Sequence, residues 1–548
     1  MKSSKHKIND LVAELARKKI KTRDDFLILL KKVVKKYQLE PPAYSQILDI
    51  YKKLRKNKKI KVNKFFEEKL KKRPIRSLSG VAVVSVLTKP YPCPGHCLYC
   101  PTDKEFPKSY LAGEPAADRA KNLKYDPYEQ VKYRLETLQK IGHATDKIEL
   151  IVIGGSFTAY PRKYQEWFVK RCFDGANSCN LKHVSCNKNL ESTQKQNEKA
   201  KNRIISISVE TRPDLITPEE IKKMRELGIT KVELGIQALD DKILEKNKRG
   251  HGIKEIIAAT KLLKEAGFKI CYHVMPGLYG STPKKDLTMF KKLFTDQNFR
   301  PDYLKIYPCV VVKNSKLHKV WQEKKYKPYS EKNLIDLLIK MKLAVPPYVR
   351  IIRIFRDIPS PKIEAGSKTS NLREVIKKEM AAREIKCRCI RCREIKDLRF
   401  KITDCRLVKR EYQASNGKEI FLSFEDTKQN KILAFLRLRF PRLHATSCML
   451  HALENAAIIR ELHTYGEVVK IGKKKKTASQ HKNLGKKLVK EAEKIVKHNA
   501  NLQIYTNTTN KKNLRKQAKI AVISGIGARE YWRKLGYKLQ ETYMVKNI

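Results

Sequence analysis

Cys93, Cys97 and Cys100 fall within one short segment, Pro92-Cys93-Pro94-Gly95-His96-Cys97-Leu98-Tyr99-Cys100-Pro101. Three thiolates at this spacing can hold three irons of a [4Fe–4S] cube and leave the fourth iron without a protein ligand, whereas a cluster that only carries electrons normally takes four cysteines. An open iron can chelate a substrate that offers an amino group and a carboxylate together. The competing chemistry is a structural zinc site completed by His96, since a tetrahedral ion also accepts three sulfurs and one nitrogen.

A second cluster, Cys387, Cys389 and Cys392, suits one corner of a zinc site, with Cys405, Cys309, His318 or another nearby histidine as the fourth ligand. Its alternative is three buried thiols packed as small apolar groups. The chain begins Met1-Lys2-Ser3-Ser4-Lys5 and its N-terminus reaches no apolar run long enough for a signal peptide or a membrane span. That points to the cytoplasm and no membrane partner. In that reducing compartment the 13 cysteines are read for metals rather than as a disulfide framework.

Positioning these thiols requires a scaffold. The first cluster follows directly on the β-branched run Val81–Leu87, and further runs fit strands at Ile148–Ile153, Ile204–Glu210, Lys231–Gln237, Lys269–Met275 and Tyr303–Val312. Helical spacing fills intervals between them, as at Pro127–Lys140, Pro218–Leu227 and Ile253–Ala266, the last stopped by Gly267. Repeated strand–helix units predict an α/β fold with a parallel sheet closed, or partly closed, into a barrel. Barrel active sites are built at the C-terminal ends of the strands. The cysteine loop, Gly154-Gly155-Ser156, Glu210, Gln237 and His273 all stand at such ends and should share one mouth. The polar stretch between Cys172 and Arg203 reads as a loop inserted between two strands.

Beyond Cys392 the pattern changes. Runs Glu419–Glu425, Lys431–Phe440, Ala457–Tyr465 and Lys519–Ile526 around one long helix, Asn483–Lys497, predict a separate α+β domain, with Pro441–Asn455 and Ala500–Lys516 as insertions. Near the N-terminus, helical spacing of Ile8, Leu11, Leu15, Phe26, Leu29, Leu30 and Val33 is mixed with lysine runs. The expected organisation is a basic helical module over 1–75, the barrel over 76–370, a cysteine-containing linker over 371–405 and the α+β domain over 406–548. Lys plus Arg number 120 against 57 Asp plus Glu, a formal charge of +63 on 548 residues. A compact chain with that excess repels itself without an anionic partner, and nucleic acid fits. A lysine-rich compositional bias is the bland account of part of the charge.

The C-x3-C-x2-C spacing, with Tyr99 ahead of the last cysteine, resembles the radical S-adenosylmethionine (SAM) superfamily. More specifically, Cys97-Leu98-Tyr99-Cys100-Pro101-Thr102-Asp103, Pro107-Lys108-Ser109-Tyr110, Glu114-Pro115, Tyr125-Asp126-Pro127, Val209-Glu210-Thr211-Arg212-Pro213-Asp214 and Asn247-Lys248-Arg249-Gly250-His251 resemble the catalytic subunit of Elongator, the tRNA wobble-uridine acetyltransferase family. This resemblance runs from about residue 75 to the C-terminus. It implies a [4Fe–4S] cluster on Cys93, Cys97 and Cys100, SAM near Gly154, Gly155 and Glu210, and a bound metal at the second cysteine cluster. The C-terminal domain then resembles a GNAT acetyltransferase that presents acetyl-coenzyme A. Its splayed strand would contribute Glu461, Leu462, His463 and Thr464, and its phosphate-binding helix start Leu484, Gly485, Lys486 and Lys487. Tyr531 and Trp532 would line the thioester, and Lys147 would contact acetyl-coenzyme A from the barrel side. The phosphate loop, Gln480 to Lys486, departs from the family pattern because Asn483 replaces a glycine, though asparagine tolerates a left-handed backbone.

Reaction roles fall to Lys147, Glu210, Gln237 and Tyr531. The implied chemistry is abstraction of hydrogen from the acetyl methyl group by a 5′-deoxyadenosyl radical, addition to C5 of the wobble uracil and hydrolysis of the thioester. The base must be splayed from the tRNA anticodon loop into the barrel mouth. An electron-donor protein is required, and a homodimer is compatible with the sequence. Two rival readings stand beside this one: a protein lysine acetyltransferase using Glu461 as base, which leaves the cysteine triad without purpose, and a non-catalytic tRNA-binding protein.

Overall fold

A computed structural model describes residues 4–18, 20, 22–63, 66–67, 70, 79–178, 189–395, 400, 402–441, 450–466, 483–506 and 518–548. The β-branched runs form strands β1 (Ala82–Leu87), β2 (Lys147–Ile153), β3 (Arg203–Thr211), β4 (Lys231–Gln237), β5 (Lys269–Val274) and β6 (Tyr303–Ile306). The expected strand Tyr303–Val312 is broken in two. Pro308, which cannot donate to a ladder, lies between β6 and the short β7 (Val311–Val312). A further strand, β8 (Arg350–Ile354), completes a seven-stranded sheet in the order β1-β2-β3-β4-β5-β6-β8, and β7 pairs with β9 (Ile363–Ala365) in a separate ribbon. Every neighbouring pair in the large sheet is parallel and spatial order follows chain order, so the sheet curls in one direction into a partial barrel with helices outside.

Local chemistry fixes where the helices begin. Asp126 accepts hydrogen bonds from the backbone N–H groups of Tyr128 and Glu129, with Pro127 at the first helical position of Pro127–Lys140. The described residues of the polar stretch expected as a loop are largely helical: one helix continues to Ser178, and a second, Leu190–Lys199, starts from the side-chain cap of Asn189. Its polar residues turn inward, since Asn177 and Asn197 are buried and hydrogen-bonded to each other at 2.7 Å.

The C-terminal strands are β10 (Cys405–Ala414), β11 (Gly417–Asp426), β12 (Lys431–Phe440), β13 (Ala456–Thr464), β14 (Lys519–Val522), β15 (Lys538–Gln540) and β16 (Tyr543–Asn547). They form a second sheet in the order β10-β11-β12-β13-β14-β16-β15, antiparallel except for the β13–β14 pair. The helix Leu484–Thr506 covers this sheet through Leu484, Leu488, Val489, Ala492 and Val496. The opposite face of the sheet sits against the foot of the barrel, meaning the N-terminal ends of its strands. There Phe421, Phe435, Tyr465 and Tyr543 join the same buried core as Ile204 and Phe268 of the barrel.

At the other terminus, the helices Ser4–Arg17, Arg23–Tyr37 and Tyr44–Lys56 have their own core around Leu11, Leu15, Phe26 and Tyr51. Among the described residues, no helix is long and apolar enough to cross a membrane.

Candidate active site

The cysteine loop leaves β1 at the C-terminal end of the barrel and is held from two sides. Leu98 N–H donates to Asn247 O at 3.1 Å, and Leu317 N–H donates to Leu98 O at 2.8 Å. Arg249 Nη1 donates to Cys97 Sγ at 3.3 Å, and Arg212, fixed by its pair with Asp214, donates to Arg249 O at 2.9 Å. A Cβ on Gly95 would lie 2.2 Å from Arg212 Nη1, so the glycine is what admits the guanidinium beneath the loop. Burial works against ionisation of Cys97, but Arg249 and then Arg212 outweigh it and hold the thiol below its ordinary value. At Cys100 burial and the neighbouring Cys97 outweigh the opposing pull of Lys108 and Arg356 and push the thiol up to about 12.

Cys93, Cys97 and Cys100 border one cavity of about 410 Å³ together with Gly155, Glu210, Gln237, Arg212 and Lys305. Among the described residues, the sets of three ligand atoms mutually within 4.8 Å, the separation a single ion needs, are Cys387/Cys389/Cys392 and Glu233/Cys271/His273; the first triad is not one of them. Its sulfurs surround a space rather than a point. That, with two guanidiniums to offset the charge of an anionic cluster, fits a [4Fe–4S] cube better than a zinc ion. Buried polar atoms of the wall without a hydrogen-bond partner among the described residues include Gln237 Oε1 and Arg212 Nη1, which fits a polar ligand there. Gln237 itself takes φ +66°, a left-handed backbone at the end of β4. Gly154, at φ +135°, passes so close to Thr88 that a Cβ would lie 1.9 Å from its Oγ1.

Glu210 opens a feature that sequence reasoning missed. Tyr110 Oη donates to Glu210 at 3.0 Å, and Lys305 donates to the same carboxylate at 3.4 Å. Lys305 also pairs with Glu233, which accepts from Ser208 Oγ at 3.0 Å and touches His273 Nε2 at 2.9 Å. Lys231 lies 3.9 Å beyond and pairs in turn with Glu149. Below it, Tyr303 bonds Glu461 of β13, which accepts from Arg437 Nε at 2.9 Å. A file of alternating charges therefore runs through the barrel lumen from the cysteine mouth to the C-terminal sheet. Burial opposes the charge on Glu233, yet Lys305, His273 and Lys231 hold its carboxyl well below the ordinary range. The missed signal was charge at inward positions of parallel strands, whose interiors are normally apolar on both faces.

In the C-terminal domain the alternation of β13 divides the expected residues. Leu462 and Thr464 face the helix start: a Cβ on Gly485 would lie 3.4 Å from Tyr531 Oη, 3.5 Å from Thr464 Oγ1 and 3.8 Å from Leu462 Cδ2. Glu461 and His463 face the barrel, the latter through Nε2 at 2.8 Å from Ser79 O. Trp532, expected at the thioester, turns instead into the domain core with 4% exposure, against Tyr537. Asn483 has φ +56°, the left-handed backbone its replacement of glycine requires. The first-turn N–H groups of Leu484, Gly485 and Lys486 follow it without intrahelical acceptors, and Lys486 and Lys487 are exposed. Residues Gln480 to Lys482 lie outside the described residues. Lys147 stands at the start of β2, at the foot of the barrel, ~20 Å from the mouth by strand rise over seven residues. Burial lowers its pKa, which Asp146 only partly offsets.

Cys387, Cys389 and Cys392 converge beside Lys342, whose Nζ is 3.6 Å from Cys392 Sγ and whose carbonyl receives Cys387 Sγ at 3.3 Å. Among the described residues, none of the expected fourth ligands Cys405, Cys309 and His318 joins this set within 4.8 Å.

A parallel partial barrel with a cysteine triad after its first strand defines the class of radical SAM proteins. Sequence models of the Radical SAM superfamily and the Radical_SAM C-terminal domain match residues 91–293 and 301–382. The chain belongs to the family of tRNA uridine(34) acetyltransferase and Elongator complex protein 3. It is 42% identical to tRNA uridine(34) acetyltransferase of Methanocaldococcus infernus over 87% of this chain and 88% of that protein. It is 35% identical to Elongator complex protein 3 of Homo sapiens over 88% and 86%. The solved structure of the archaeal Methanocaldococcus infernus Elp3 lacking residues 1–46 superposes with a TM-score of 0.70 at 40% identity, covering 86% of this chain and all of that one.

Proposed function

We propose that this chain is a radical SAM enzyme that modifies uridine 34 of tRNA with an acetyl-derived group, the reaction for which its relatives are named. The observation that carries the reading is that the similarity spans barrel and C-terminal domain together, over 87% of the chain. Bound to Cys93, Cys97 and Cys100, with SAM against Gly154, Gly155, Glu210 and Gln237, the cluster would supply a 5′-deoxyadenosyl radical in the mouth. Arg249 and Arg212 stiffen the loop that holds it. Leu462, Thr464, Gly485 and Tyr531, with the free N–H groups of the helix start, receive acetyl-coenzyme A, as helix N-termini favour phosphate. Lys147 meets the same cofactor from the barrel foot.

The basic helical module over 1–75 and the lysine-rich surface hold tRNA phosphates. Cys387, Cys389 and Cys392 hold a structural metal at the junction over 371–405. The lysine acetyltransferase reading loses its base, because Glu461 is committed to Arg437 and Tyr303. Anaerobic reconstitution, incubation with tRNA, SAM, acetyl-coenzyme A and dithionite, and mass spectrometry of the digested nucleosides test the proposal. A C5-carboxymethyl product that disappears in Cys97→Ala is expected. SAM cleavage with saturating acetyl-coenzyme A and no altered tRNA nucleoside would overturn it.

A further inference from the structure

Beside the mouth four aromatic rings form a ladder that the cluster and cofactor sites leave unused. Tyr91, two residues before Cys93, stacks on Tyr160 with ring centroids 4.7 Å apart and planes 29° from parallel. Tyr160 stacks on Tyr164 at 4.9 Å and 23°, and Tyr164 meets Trp167 at 5.6 Å and 34°. The middle of the ladder is locked: Tyr160 Oη donates to Lys89 O at 2.6 Å, and Tyr164 Oη accepts from Lys89 N–H at 3.2 Å. Its ends are open, with Tyr91 37% and Trp167 43% exposed. A large aromatic on a loop loses energy by standing in water unless something covers it. Here the ring is also held rigid from behind, which removes the entropic cost of ordering it when a flat partner arrives.

The surroundings select the partner's chemistry. Lys89 is exposed with Nζ 5.1 Å from the centre of the Tyr164 ring, and Arg162 and Lys163 are exposed at the start of the helix that carries Tyr164 and Trp167. Flat rings interleaved with cations are what a single-stranded nucleic acid needs, one surface for the base and one for the phosphate. The spacing matters too. Cys93 borders the cavity, so a base stacked on Tyr91 lies immediately outside the mouth that would receive an extruded neighbour.

We propose that Tyr91, backed by Tyr160, Tyr164 and Trp167, is the stacking platform for the nucleotide adjacent to the uridine drawn into the barrel. This rests on the tRNA reading above and adds to it the contact that keeps the loop splayed. Every base offers a flat face, so stacking on an aromatic ring adds affinity whichever nucleotide is adjacent. Loss of the ring should therefore weaken binding of the loop about tenfold, with a smaller effect from losing only the hydroxyl.

The test uses full-length reconstituted protein and anticodon stem–loop RNAs carrying 2-aminopurine on either side of uridine 34. Wild type and Tyr91→Phe are expected to quench one of the two probes on binding. Tyr91→Ala should lose that quenching and about tenfold in affinity while keeping its iron content and its SAM cleavage without RNA. Unchanged quenching and affinity in Tyr91→Ala would overturn the platform while leaving the tRNA reading intact; failure of wild type to bind the RNA would mean that the tRNA reading itself had failed. If Tyr91→Ala bound RNA normally but accepted electrons more slowly from a protein donor than from dithionite, the surface would belong to that donor and the proposal would fall.

Discussion

Arg460 of β13 grips Asp302, the residue before β6, through Nη1 to Oδ1 at 3.0 Å and Nη2 to Oδ2 at 2.5 Å, with neither side chain exposed. The same guanidinium donates to Glu419 at 2.9 Å, so one arginine ties the foot of the barrel to two strands of the C-terminal sheet. Burial opposes the charge on Asp302, but Arg460, Lys264 and Arg437 hold its carboxyl below the usual range. The two domains are joined by a charge cluster without access to water, and such clusters respond strongly to the loss of one member.

Arg460→Met and Asp302→Ala should each lower the stability of the docked domains by roughly 3–5 kcal/mol, because each strands an opposite charge in the interior. The double variant should lose less than the sum. Urea unfolding of the three proteins checks this, and single variants with wild-type midpoints would show the cluster to be energetically idle.

Lys264 is the weak member of the cluster. It is fully buried, lies 3.5 Å from Glu419 and has no hydrogen-bond partner for Nζ among the described residues. Burial lowers its pKa to about 8 from an unfolded value near 10.5. Between those values the unfolded chain binds more protons than the folded one, so this lysine makes stability rise with pH across about pH 8 to 10.5, by about 3 kcal/mol at most. Lys264→Met should raise the urea midpoint at pH 7 and remove that upward slope. Equal slopes in the two proteins would sink the assignment.

The barrel was legible in the sequence because its strands carry the β-branched runs that two-sided burial demands, and β4 was expected at the bounds observed, Lys231–Gln237. The strand β8 was missed because its residues, Arg350-Ile351-Ile352-Arg353-Ile354, place two arginines three positions apart, which breaks the period of two expected of a strand and resembles a surface segment. The lumen charges hid for the same reason: Glu149, Lys231, Glu233 and Lys305 look like solvent-facing positions until the sheet curls and brings them together. Motif residues marked the mouth, whereas the facing of Glu461 away from Gly485 follows from strand alternation combined with a docking surface that no local pattern reports. Trp532 shows the limit from the other side, since its place in the core depends on how the closing helix rolls.

Gly154 and Gly155 should differ when substituted. A Cβ on Gly154 would run into Thr88, while one on Gly155 would meet Lys108 O at 3.4 Å, an ordinary contact burdened only by its φ of +90°. Gly154→Ala is expected to weaken SAM binding to the reconstituted protein more than tenfold, and Gly155→Ala several-fold less. Equilibrium binding of SAM under anaerobic conditions decides the order, and equal losses would mean that backbone strain rather than the Thr88 contact governs the site.

Lys147 tests whether the two domains share one cofactor. It stands at the barrel foot on the side of the C-terminal domain, remote from the cysteines, and burial has already lowered its pKa. A phosphate of acetyl-coenzyme A would restore the ammonium's preference for charge, in a charge-assisted bond worth about 1.5–3 kcal/mol. Lys147→Ala should therefore weaken acetyl-coenzyme A binding about ten- to a hundredfold, Lys147→Arg less, with iron content and acetyl-independent SAM cleavage unchanged in both. Calorimetric titration of acetyl-coenzyme A separates this from a solvated surface lysine: wild-type affinity in Lys147→Ala would place the bridge between the domains elsewhere, and loss of SAM cleavage in the same protein would make Lys147 a residue of the fold rather than of the cofactor site.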